Sequence, residues 1–204
     1  MRYLNKIVFI NSAAIRYSEV QLDGNIHLIG TQGVGKSTIL RAILFFYNAD
    51  TQRLGIPVEK KSYQDYYFPY ADSSIIYEVA REDGWFTVLS YKTMNRICYR
   101  FIASPYRPDL FIDEEGAPYP SDRIRSVLDK NGIKYSGAIS TYEEYRNILY
   151  GNSDNKRDYS CYSLMESGSY QNIIRTIQNV LLNSRLEADY IKQTIITSLN
   201  EADS

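Results

Sequence analysis

Cysteine, histidine and tryptophan are close to absent from this sequence, at two, one and one residues. Cys98 and Cys161 belong to no C-x-x-C pair, which argues against a metal or redox centre and leaves reduced, buried thiols as the expectation. The single histidine, His27, is flanked by Ile26 and Leu28 and reads as a structural strand residue rather than a catalytic one. Neither sign of charge dominates: Lys plus Arg number 23 against 24 for Asp plus Glu, so there is no global electrostatic footprint for nucleic acid. Local pairs such as Lys60-Lys61, or Arg96 with Arg100, read as solvated faces. No apolar run approaches membrane-spanning length, and Ile7 to Ile10 is too short for a signal-peptide core. These absences predict a cytoplasmic chain with no membrane partner. What the chain has in plenty is tyrosine, 20 residues in 204, a composition suited to strands and half-buried surfaces.

One stretch carries specific chemistry. Gly30-Thr31-Gln32-Gly33-Val34-Gly35-Lys36-Ser37-Thr38 satisfies the phosphate-binding pattern G-x-x-x-x-G-K-[ST] at every fixed position. Ile26, Leu28 and Ile29 run into it as a strand, and Ile39 to Phe45 leave it as a helix, apolar almost all round and so buried on both sides. Gly30, Gly33 and Gly35 let the backbone fold around phosphate oxygens with successive N–H groups turned inward. The helix opening near Lys36 aims its positive end at the same anion. In this pattern Lys36 reaches the β- and γ-phosphates and the Ser37 hydroxyl binds Mg²⁺. The expectation is ATP with Mg²⁺, bound by residues 30–38.

Around that loop the chain divides into three stretches. Residues 1–50 form the loop core, with strands at Lys6–Ile10 and Glu19–Leu22 and a turn at Asp23-Gly24-Asn25. Residues 51–120 begin irregular and aromatic over Thr51–Asp72. Strands Ile75–Ala80 and Trp85–Tyr91 then flank the hairpin turn Arg81-Glu82-Asp83-Gly84, and Ile97–Ala103 and Leu110–Ile112 continue an antiparallel meander turned around at Glu114-Glu115-Gly116. Residues 121–204 read as helical. One helix begins at Ser121 with Asp122 and ends at Gly132; a second carries the capping box Thr141 with Glu144 and ends before Gly151. Asn152–Lys156 is loop-like. Two further helical stripes follow, Ile173 to Leu181 and Tyr190 to Leu199.

Hydrolysis needs more than this loop: a carboxylate on Mg²⁺ and a group that positions water. Leu110-Phe111-Ile112-Asp113-Glu114 is apolar and ends in Asp-Glu, but Pro108 and Asp109 shorten it, and Glu115-Gly116 makes Asp113 a turn acid. Glu166 to Gln171 imitates an ATP-sandwich signature in the wrong order and reads as an N-capping loop, with Ser169 ahead of a helix. No catalytic residue is assigned within the chain. The alternative is a self-contained P-loop NTPase or kinase in which Asp113 or Glu114 serves magnesium.

With loop, meander and terminal helices together, the chain resembles the N-terminal half of an ABC-type ATPase head of the structural-maintenance-of-chromosomes (SMC) class, nearest to bacterial condensin-like and Wadjet-type ATPases. The resemblance spans the whole chain, and only its loop is highly specific. It implies an α/β P-loop head lobe whose helical end leads to a coiled coil. The family's second carboxylate strand and signature motif follow that coiled coil, so the implied partners are the C-terminal half of the same head, a second head in a homodimer, kleisin-like accessory subunits, and DNA held by the assembly. It also implies Gln171 as the Mg²⁺-binding glutamine, although no Gln-Gly follows, and Arg53 as a contact to DNA or the partner head. Arg16 or Tyr17 would stack on adenine.

Overall fold

The computed structural model describes residues 2–22, 27–29, 35–48, 63–151 and 159–164. Its centre is a six-stranded sheet, order β3-β2-β1-β4-β5-β6, from strands β1 Tyr3–Ser12, β2 Ile15–Gln21, β3 His27–Ile29, β4 Ser74–Arg81, β5 Gly84–Thr93 and β6 Arg96–Ile102. Every neighbouring pair is antiparallel. β1 and β4 lie in the middle because both their faces are apolar. Leu4, Ile7 and Phe9 of β1 and Ile75, Tyr77 and Val79 of β4 enter one core; Val8, Ile10 and Ile76 enter the other. β2 is amphipathic, with Arg16 and Tyr17 exposed and Val20 buried, and accordingly lies towards one side.

Helices cover both faces, giving a mixed α/β fold. On the first face lie α1 Lys36–Asn48, α2 Tyr63–Tyr67, α4 Tyr142–Leu149 and a single 3-10 turn, Ser160–Tyr162. On the second lie α3 Ser121–Lys130 and a 3-10 turn at Pro108–Leu110. Of the capping box predicted for α4 the N-cap half forms: the Thr141 hydroxyl accepts from the Glu144 amide at 3.2 Å. α3 begins at Ser121 and stops where Gly132 takes φ 66° and its amide bonds the Asp129 carbonyl at 3.1 Å. The residue before α3 is Pro120, and no side chain caps that end.

The tyrosines hold α1 to the sheet. Tyr67 donates to the Thr38 carbonyl at 2.7 Å, Tyr77 to the Ala42 carbonyl at 2.9 Å, and Tyr145 to the Phe46 carbonyl at 2.5 Å. Tyr150 donates to the Tyr47 carbonyl. Residues 38, 42 and 46 are four apart and lie along one side of the helix. Phe46 and Tyr47 belong to its last turn, whose carbonyls have no intrahelical donor. Ring stacking completes this core: Phe45 on Tyr63 at 4.5 Å, Tyr63 on Tyr67 at 4.2 Å, Tyr99 on Tyr145 at 4.3 Å.

Two further polar devices fix the sheet. The buried Glu78 carboxylate accepts from Asn5 Nδ2 at 2.8 Å and from the Tyr106 amide at 2.7 Å, joining β1 beside its bulge to the second face's loop. Arg81 donates to the Ser160 carbonyl at 2.7 Å and the Ser163 carbonyl at 3.2 Å; Arg2 reaches the same Ser163 carbonyl at 3.1 Å.

Several expectations are corrected. Leu110–Ile112 is not a strand of the meander: Pro108 opens a 3-10 turn, and Ile112 makes only a single bridge, to Pro118. The aromatic stretch before β4 contains a helix, α2. Arg100 is buried, not solvated; it donates to the Ser136 carbonyl at 2.7 Å and lies over the Tyr135 ring. That contact draws residues 134–139 along the outer edge of β6, where Tyr99 and Ile139 exchange both backbone hydrogen bonds. Cys98 is buried as expected, whereas Cys161 is exposed. The helical stripes beyond Leu164 lie outside the described residues.

Tyr145→Phe keeps the ring stack but strips the Phe46 carbonyl of its donor; urea denaturation should show a loss of about 1–2 kcal/mol. Burial lifts the phenols of Tyr77 and Tyr145 well above their ordinary value of 10.0. The folded chain therefore keeps protons that the unfolded chain releases, so this contribution is intact below about pH 10 and is lost as pH rises above it. The urea midpoint should fall from there upward, with the tyrosinate absorbance of the buried phenols appearing together with the loss of the folded circular-dichroism signal.

Candidate functional site

β3 ends at Ile29 and α1 starts at Lys36, so the glycine-rich motif occupies the strand-to-helix junction, as its chemistry requires. Gly30, Thr31, Gln32, Gly33 and Val34 lie outside the described residues, as do Gln171 and Arg53. Gly35, Lys36, Ser37 and Thr38 are described at the backbone level. The Gly35 carbonyl accepts from the Ile39 amide at 3.2 Å, so the helix springs from Gly35. The amides of Lys36, Ser37 and Thr38 then fall in the first turn, where no intrahelical carbonyl reaches them. The first turn of α1 also carries no acidic residue. Its positive end is therefore uncompensated from within the helix, a setting that favours a bound anion.

Thr38 joins this end to the rest of the fold. Its side chain is buried, its carbonyl accepts from Tyr67, and its Oγ1 lies 3.4 Å from the Tyr66 hydroxyl. The remainder of α1 is anchored by Ile39, Ala42, Ile43, Phe45 and Phe46 in the core, so the first turn stands on a fixed base. Sequence reasoning missed Tyr66 and Tyr67. The density of tyrosine over 63–70 was the available signal, and only the packing of α2 on α1 gives it meaning.

Other candidate residues fall elsewhere. Asp113 Oδ1 accepts from the amides of Glu115 and Ala117, each at 2.9 Å, which closes the turn through Gly116 (φ 82°). That turn follows Phe111 and Ile112, which pack in the core on the sheet face away from α1. Glu114 is exposed in the same turn. Tyr17 also belongs to the second face: it pairs opposite Ile10, and its hydroxyl meets Glu19 at 3.0 Å and Tyr106 at 2.8 Å. Partial burial, with the Glu19 carboxylate nearby, pushes its phenol up to about 12. Arg16, the neighbouring residue, is exposed. His27 sits in β3 opposite Gln21.

Among the described residues no group of three or more His, Cys, Asp or Glu side chains is arranged to hold a metal ion. Among them, too, no helix is long and apolar enough to cross a membrane.

Residues 11–204 match the family described as "Protein of unknown function (DUF3584)", and the chain belongs to that family. No curated protein matches the chain.

Asp113 Oδ1 holds two amides of its turn. Asp113→Ala should therefore lower the unfolding free energy, read by urea denaturation, by about 1–2 kcal/mol.

Proposed function

We propose that this chain binds ATP as the N-terminal half of an SMC-like ATPase head. The observation that carries the reading is the meeting of motif and backbone: G-x-x-x-x-G-K-S ends where three first-turn amides of α1 are without intrahelical acceptors. In this reading the loop from Gly30 to Gly35 wraps the phosphates, Lys36 neutralises charge on the β- and γ-phosphates, and Ser37 ligates Mg²⁺ with Gln171 as a second ligand. Mg²⁺, held there by Ser37 and Gln171, would offset the charge of the phosphates. A helix end whose first turn carries no acid suits that anionic ligand. Gly35 leaves the backbone free to approach it closely.

Asp113, the acid that a self-contained NTPase would use, has its Oδ1 engaged in a turn near the opposite face. This favours a half-site over a self-contained NTPase. Among the described residues β3 pairs only with β2, so its outer edge is where a carboxylate-bearing strand from the C-terminal half would add. Two completed heads would then sandwich ATP, and its hydrolysis in the cytoplasm would drive a coiled-coil assembly with kleisin-like subunits along DNA.

Calorimetric titration tests the reading. This chain should bind Mg-ATP and turn it over barely or not at all, and Lys36→Ala should abolish binding. Unchanged affinity in Lys36→Ala would refute the site. Turnover by this chain alone, lost in Asp113→Asn, would establish the self-contained enzyme instead.

A further inference from the structure

α2 is only five residues long, yet it is held in place at Thr38 by two consecutive tyrosines with opposite orientations. Tyr67 turns inward: it is fully buried, stacked on Tyr63, and donates to the Thr38 carbonyl. Tyr66 turns outward and is 36% exposed. Its ring meets that of Tyr67 edge-on at 4.9 Å, which braces it. The Tyr66 hydroxyl lies 3.4 Å from Thr38 Oγ1, longer than the ~2.7–2.8 Å usual between hydroxyl groups. In that contact either hydroxyl can be the donor. A charged oxygen is a stronger acceptor than a threonine hydroxyl, and would take the Tyr66 proton in preference.

We propose that Tyr66 is a phosphate-binding residue of the nucleotide site, its hydroxyl donating to an oxygen of the phosphate chain seated on the first-turn amides of α1. The inference rests on the ATP-binding reading above and extends it to a residue outside the glycine-rich motif. It also gives the aromatic stretch before β4 a task. Tyr67 fixes the position of α2 against Thr38, and Tyr66 presents a donor from that fixed position on the flank of the helix end. The phosphate chain is then held by the first-turn amides of α1 and by α2. Because Tyr66 acts on phosphate rather than base, its contribution is the same for any nucleoside triphosphate.

The test is calorimetric titration of Mg-ATP into this chain and into its Tyr66→Phe and Lys36→Ala variants, with urea denaturation of each in the absence of nucleotide. Phenylalanine preserves the edge-on ring contact. Tyr66→Phe is expected to bind about tenfold more weakly, the weight of one hydrogen bond to a charged acceptor, with its urea midpoint unchanged. If the unmodified chain binds and Lys36→Ala abolishes binding while Tyr66→Phe stays within about twofold, the inference falls and the ATP site stands. If Tyr66→Phe loses affinity together with apo stability, the hydroxyl is a packing element and the inference is overturned. If the unmodified chain binds no ATP, the reading beneath it fails first.

Discussion

The arrangement depends on one kind of contact, a tyrosine hydroxyl donating to a main-chain carbonyl of α1. An apolar helix laid on an apolar sheet face has little to fix its rotation about its own axis, because hydrophobic contact is nearly indifferent to direction. Hydrogen bonds are directional, and Tyr67, Tyr77, Tyr145 and Tyr150 place them from the start of the helix to its last turn. They come from α2, β4 and α4 with the residue that caps it, so three separate parts of the chain fix one helix. The glycine-rich loop inherits that rigidity, since the turn it feeds cannot roll without breaking bonds in the core.

The same logic extends to the sheet. Glu78 is a buried carboxylate, and burying a charge is costly unless hydrogen bonds replace its water. Asn5 and the Tyr106 amide do so, and in doing so stitch the bulged start of β1 to the second-face loop. Arg100 does a parallel job at the far edge, drawing residues 134–139 across strand groups that would otherwise be open to another chain. One edge of the sheet is thus closed by the chain itself. At the other, β3 is a three-residue strand beside the loop.

Much of this was legible in the sequence where the cause is local. The junction of β3, loop and α1 follows from glycine spacing and apolar flanks, and the start of α4 from Thr141 and Glu144. The β4–β5 hairpin follows from Glu82-Asp83-Gly84. Features whose cause lies far along the chain were not legible. The β5–β6 turn has no glycine; Met94 and Asn95 themselves take positive φ, 47° and 70°, the pairing that matches the twist of a two-residue hairpin. Burial of Arg100 depends on Ser136, and the role of Tyr66 and Tyr67 depends on a helix that precedes them. At Leu110–Ile112 the apolar run suggested a strand, but Pro108 started a turn instead. The loop motif was read from its own residues, whereas the side chains that support it from outside were readable only in three dimensions.

Arg2 and Arg81 converge on the carbonyl of Ser163, across separations of 161 and 82 residues. Closing a chain over such lengths costs entropy that local structure cannot repay, so the clasp depends on the sheet to bring both ends together. The two arginines thereby fasten residues 160–163 to strands far away along the chain.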